Sequence, residues 1–253
     1  MTFERPDRRR HDELRPIQVV RRYTRYAPGS VLISYGETKV LVNASVEERV
    51  PRHVQESHGD GAGWITAEYA MLPAATHSRT GRERMRVSPR STEIQRLIGR
   101  SLRACVDLKT IGPRTITVDC DVIQADGGTR VTAITGGFIA LMDAFQSLKE
   151  KELLAEIPPV TPVAAVSVGV KDGDVLLDLN YEEDFAVDVD ANVVMNKDGH
   201  IIEFQATCEG LPFDRVTLDK MVDLSQQGIA ELITIQEKAL AEKAEAPVSA
   251  AIS

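Results

Sequence analysis

Thr115-Ile116-Thr117-Val118-Asp119-Cys120-Asp121-Val122-Ile123-Gln124-Ala125-Asp126-Gly127-Gly128-Thr129-Arg130 runs a strand pattern into a glycine turn that ends on an arginine and opens a helix. Ile116, Val118, Cys120 and Val122 fall at every second position, whereas Ile134, Phe138, Leu141, Met142, Phe145 and Leu148 recur at helical spacing. The glycines therefore stand at a strand-to-helix junction. Gly127 and Gly128 let backbone approach a ligand closely, the first amides of the helix point outward, and Arg130 adds a planar donor fork suited to an anion. The segment fits neither the Walker pattern nor the dinucleotide glycine pattern, so on its own it is an anion seat or an ordinary tight turn.

Working outward, the 253 residues suffice for one large domain or two small ones, with the apolar and charged fractions of a soluble globular protein. No apolar run is long enough to span a bilayer, and the polar, arginine-rich amino terminus lacks the apolar core of a signal peptide, so a cytoplasmic protein without a membrane partner is expected. Cys105, Cys120 and Cys208 are widely separated and suggest neither disulfides nor zinc; they read as small buried hydrophobes. His11, His53, His58, His77 and His200 have no metal-binding spacing and receive no role, and Trp64 reads as core.

The formal charge of −8 speaks against nucleic acid, but its distribution is uneven. Arg5, Arg8, Arg9 and Arg10 cluster near the start, and Arg79, Arg82, Arg84, Arg86 and Arg90 crowd one short loop. Each cluster is open to two readings, RNA contact, or subunit contacts and solvated pairs.

Before the opening motif, Ser30 to Tyr35 and Lys39 to Glu47 form a hairpin around Gly36-Glu37-Thr38. Arg52 to Gly63 reads as a polar loop and Trp64 to Leu72 as a third strand. Thr92-Glu93-Ile94-Gln95 matches a capping box for a helix ending near Gly112-Pro113, which puts Arg90 just outside a helix amino terminus. After the motif, Pro158-Pro159 and Pro162 mark a boundary. Val163 to Val170 with Val175 to Asn180, and Ala186 to Met195 with Ile201 to Thr207, form two more hairpins, followed by a helix over Thr217 to Leu240. Strand-rich halves finished by helices predict an α+β chain, with subdomains at 12–156 and 160–241 and a disordered tail at 242–253.

The run Asp178 to Asp190 holds six acids, Asp178, Glu182, Glu183, Asp184, Asp188 and Asp190, with Asn180 and Tyr181 interspersed. Such density suits either a magnesium or manganese ion, held by one or two carboxylates with water and substrate phosphate, or a solvated acidic hairpin. In the extended segment Asp190 can project toward a loop carrying Asp184. If these acids and the glycine turn met in space, they would be equipped for phosphoryl transfer.

At these residues the chain resembles the ribonuclease PH family. The likeness is carried by Asp12-Glu13-Leu14-Arg15-Pro16-Ile17, Gly63-Trp64-Ile65-Thr66-Ala67-Glu68-Tyr69, Thr92 to Ser101, Asp119 to Arg130 and Tyr181-Glu182-Glu183-Asp184. The resemblance implies an α+β fold of two β/α subdomains with mixed sheets against helices, and phosphate-dependent 3′-to-5′ trimming of RNA, transfer RNA precursors in particular, with release of nucleoside diphosphates. It also implies inorganic phosphate as co-substrate on Arg90, Gly128, Thr129 and Arg130, Mg2+ or Mn2+ and the chemistry at Asp184 and Asp190, and a homohexamer built as a trimer of dimers. Arg79, Arg82, Arg84 and Arg86 would guide RNA or join subunits. Pro89 before Arg90 and Ala74 after Pro73 depart from the family pattern, as do Arg8, Ala206 and Cys208 in place of common glycines. The alternative expectation is a non-catalytic RNA-binding ring subunit of an exosome-like assembly.

Overall fold

The computed structural model describes residues 3–59, 61–83, 86–208 and 212–242. Its elements are β1 (Ile17–Arg21), β2 (Gly29–Tyr35), β3 (Thr38–Glu47), α1 (Arg52–His58), β4 (Trp64–Met71), α2 (Pro89–Arg103), β5 (Thr115–Gln124), α3 (Thr129–Glu150), β6 (Val163–Lys171), β7 (Asp174–Leu177), α4 (Tyr181–Ala186), β8 (Val189–Asn196), β9 (Ile201–Cys208) and α5 (Arg215–Ala241). The result is the expected two-domain α+β fold.

The first sheet has the order β1-β2-β3-β5-β4 and is antiparallel except where β4 runs parallel to β5. Parallel neighbours need a crossover, and α2 provides it. The second sheet, β7-β6-β8-β9, is antiparallel throughout. Helix α3 packs against β2 and β3 of one sheet and β6 of the other, so it forms the shared core of both domains. Ile134, Phe138, Leu141 and Phe145 on it are buried. In length and hydropathy α3 meets the measure of a membrane span, contrary to the expectation that no run would, but 83% of that window is buried inside the protein. Its apolar surface is consumed by two sheets.

Several boundaries differ from the sequence expectation. The start of α2 is set by Ser88, whose side chain accepts a hydrogen bond from the Ser91 amide at 3.0 Å, and Pro89 takes the first helical position, where a missing N–H costs nothing. Thr92 is thus inside the helix, and its capping-box pattern is not used. The helix ends at Arg103, short of Gly112, with a separate 3-10 turn over Leu108–Ile111 between them. Residues 52–58 are helical instead of loop, and β1 adds an edge strand beside the hairpin. Trp64 is half-buried, with the Arg103 guanidinium 4.3 Å above its ring, so it caps the core's margin and does not fill the core. Cys105 and Cys120 are buried as expected, and Cys208 is only partly so. The tail expected to be disordered lies, from residue 243, outside the described residues.

The amino-terminal segment crosses to the second domain. The Phe3 amide donates to Asp174 and the Leu177 amide to the His11 carbonyl, each at 2.8 Å. Arg5 is buried and forks onto Glu183 at 2.6 and 2.7 Å, while Arg15 forks onto Asp178 at 2.7 and 3.0 Å. Arg9 adds a 3.3 Å contact to Glu183. Both carboxylates are buried, and bidentate guanidinium pairing is what makes such burial tolerable. The reading of this arginine cluster as an RNA contact is therefore wrong for Arg5 and Arg9, which are committed inside the fold; Arg8 and Arg10 are exposed.

Candidate active site

Asp126-Gly127-Gly128 lies between β5 and α3 and is held from both domains. Thr38, at the start of β3, accepts from the Asp126 amide at 2.9 Å and donates through its hydroxyl to the Gly127 carbonyl at 2.6 Å. Gly127 and Gly128 both have left-handed backbone, at φ 73° and 66°. A Cβ on Gly127 would come within 2.6 Å of the Asn180 and Leu179 backbone, so only glycine lets the turn sit against the start of α4. The Tyr181 amide completes that junction by donating to Asp126 at 3.3 Å.

Helix α4 occupies the acidic run expected to be a loop. Asn180 and Glu183 form a reciprocal capping box, and Glu183 is the same residue gripped by Arg5. The acids thus divide by role. Asp178 and Glu183 are structural, Asp188 is bound to Lys171 at 3.3 Å at the hairpin end, and Asp184 and Asp190 line a cavity.

That cavity, of about 340 Å³, lies between the glycine turn, the start of α2, α4 and β8. It gathers Arg90, Gly128, Thr129, Arg130, Asp184 and Asp190, every residue expected at the phosphate and acidic centres. Pro89 does not remove Arg90 from it. Arg130 is oriented across the domain boundary, donating to Glu93 on α2 at 3.3 Å and to Gln205 on β9 at 3.1 Å. Thr129 shares a 2.8 Å hydrogen bond between its hydroxyl and Tyr69. As the first residue of α3, its amide has no intrahelical partner and is the group it offers to an anion. Burial raises the Tyr69 phenol, an effect partly offset by Thr129 and by the positive charge of Arg90 and Arg130. Tyr69 is thus a neutral hydrogen-bonding partner that holds the Thr129 hydroxyl from behind the cavity lining.

Two carboxylates are a suitable donor set for magnesium, which commonly takes one or two from protein and completes its shell with water and phosphate. No group of three or more acidic, histidine or cysteine side chains forms a self-sufficient metal cage among the described residues. Asp184 and Asp190 are therefore the residues that would hold such an ion, in company with the substrate.

The remaining lining includes Met71, Thr76, His77, Ser78, Ser167, Tyr181 and Asn192, none of which the sequence reading assigned. Asn192 carried a signal, since it lies two residues beyond Asp190 on one strand and shares its face. Ser167 did not, because only the pairing of β6 with β8 brings it opposite Asn192. Arg79, Arg82 and Arg86 are exposed on the segment between β4 and α2 and do not line the cavity, and Arg84 lies outside the described residues.

In its fold the chain resembles rice (Oryza sativa) Rrp46, with a TM-score of 0.74 at 20% identity over 93% of this chain and 100% of that one. It also resembles the Archaeoglobus fulgidus exosome with RNA bound to the active site, with a TM-score of 0.75 at 22% identity over 92% of each chain. An archaeal exosome core gives 0.72 at 22% identity, over 93% and 90%. At the level of sequence, residues 13–145 match domain 1 of the 3′ exoribonuclease family and residues 161–228 match domain 2. With both domains matched in order across most of its length, the chain belongs to the 3′ exoribonuclease family.

Proposed function

We propose that this chain is a phosphate-dependent 3′-to-5′ exoribonuclease that removes terminal nucleotides as nucleoside diphosphates, with transfer RNA precursors among its substrates. One observation carries the reading: Arg90, the Gly128-Thr129-Arg130 turn, Asp184 and Asp190 line a single cavity. A site for hydrolysis would need no second anion seat beside its carboxylates, whereas phosphorolysis needs a place for free phosphate next to an RNA phosphodiester.

In the proposed reaction an oxygen of inorganic phosphate attacks the terminal phosphodiester, and the bond to the 3′ oxygen of the preceding nucleotide breaks. Arg90, Arg130 and the amides at the start of α3 hold the incoming phosphate and offset its repulsion from RNA. The departing 3′ oxygen must gain a proton, and we assign Asp190 to relay it from the incoming hydrogenphosphate. A magnesium ion held by Asp184 and Asp190 would neutralise charge on the scissile phosphate. We further propose that the working form is a homohexameric ring, a trimer of dimers.

The second reading, a ring subunit that binds RNA without cleaving it, draws support from the archaeal exosome structures that the chain resembles in fold. Incubation of the purified protein with a 3′-extended RNA, magnesium and phosphate separates the two. The enzyme releases nucleoside diphosphates only when phosphate is present and loses that activity in Asp190→Asn. Monophosphate products, or equal degradation without phosphate, contradict phosphorolysis; RNA binding with no product favours the ring subunit.

A further inference from the structure

We propose that His77 and Tyr181 form a binding site for the terminal nucleobase of the RNA, an inference that deepens the reading above and rests on it for the choice of ligand. The two rings lie with centroids 5.4 Å apart and planes tilted by 58°. Both line the cavity that holds the arginines and the acids.

The pair does not have the character of core packing. Tyr181 is 48% exposed, and His77 is exposed as well. A large aromatic surface left open on a cavity wall is suited to a flat ligand, and every nucleobase offers a face that stacks on aromatic rings. The phosphate seat and the carboxylates account for the charged parts of a nucleotide and leave its base without a partner.

Tyr181 is also rigidly placed relative to the chemistry. Its amide donates to Asp126, the Asn180 capping box fixes the helix start, and Gly127 packs directly against its backbone. It stands three residues before Asp184 on α4, so ring and carboxylate share one helix face. A base stacked on Tyr181 would bring the attached phosphodiester toward Asp184. His77 comes from the segment between β4 and α2, which also carries the exposed arginines, so it closes the aromatic wall from the other domain.

Because stacking is tolerant of base identity, this site would act on affinity without selecting one base. The test measures equilibrium binding of a short single-stranded RNA whose 3′ nucleotide is either intact or abasic, without phosphate, so that no turnover occurs. The intact RNA is expected to bind the unmodified protein roughly tenfold more tightly than the abasic one. Tyr181→Ala and His77→Ala should remove most of that difference, and Tyr181→Phe should retain it. Equal affinity of the unmodified protein for both RNAs, no binding of either, or undiminished discrimination in both alanine variants overturns the proposal; in the first case the ring contact only pins the loop. The comparison of two RNAs on unmodified protein does not depend on any variant folding. Nucleoside diphosphate release is scored separately: discrimination without release sinks the exoribonuclease reading and leaves the base site standing.

Discussion

Arg130 shows how the setting of one side chain fixes its geometry. Held by Glu93 from α2 and Gln205 from β9, its guanidinium is oriented before any ligand arrives. A lysine at this position keeps the charge and loses the planar fork. Arg130→Lys is therefore expected to lower kcat/KM for phosphate by on the order of a hundredfold while leaving RNA affinity nearly unchanged, as judged by steady-state kinetics and binding on the same preparation. A second residue-scale effect lies outside the cavity. Asp119 faces Glu68 across the β4/β5 pairing, and burial, with added repulsion from Glu68 and Asp121, pushes its pKa up to about 6. The folded state then holds this proton more tightly than the unfolded chain. Stability from this group is full below the ordinary aspartate range and is lost as pH rises toward 6 and just beyond. Urea unfolding should show Asp119→Asn gaining over the parent protein at pH 8 and losing that advantage by pH 4; an equal gain at both values would refute the assignment.

At the scale of elements, what could be read in advance followed the range of the interactions involved. The β2–β3 hairpin, the β5 strand, the glycine turn and α3 are written in local periodicity and turn chemistry, and they were legible. Helix α4 was not, because six residues are too few for a helical period and its capping box is buried in a run of acids. Nor was the separation of structural acids from site acids: the guanidinium grip that sets Glu183 apart from Asp184 comes from Arg5, 178 positions away, with Arg9 beside it. Ser88 escaped for another reason, since the Thr92 pattern offered a rival cap of equal local merit. Two substitutions test these junctions. Ser88→Ala should cost about 1 kcal/mol in unfolding free energy and weaken phosphate binding through the displaced Arg90. Gly127→Ala must force backbone against backbone and should abolish activity with a marked fall in Tm, whereas Gly173→Ala, at φ 85° with nothing within 4 Å, should cost only roughly 1–2 kcal/mol and leave activity intact.

For the molecule as a whole, a net charge of −8 must be reconciled with the RNA substrate proposed for it. The reconciliation is spatial: Arg79, Arg82 and Arg86 are exposed on the segment that also carries His77, while Arg5, Arg9 and Arg15 neutralise buried acids. If the loop arginines guide RNA, their joint replacement by alanine should reduce the slope of log affinity against log salt by roughly two for a single strand. If they join subunits, sedimentation of the variant changes and the slope does not.

The strap from Phe3 to Arg15 has a consequence for how the protein is made. Arg5 and Arg15 are synthesised more than 160 residues ahead of the carboxylates that receive them. At ordinary translation speeds that interval is on the order of ten seconds. For that time Arg5 and Arg15 have neither Glu183 nor Asp178 to close on, and the second domain cannot bury those two carboxylates until the strap returns. Ribosome-bound chains halted before residue 178 should therefore leave this strap open to protease, and those halted well beyond α5 should protect it.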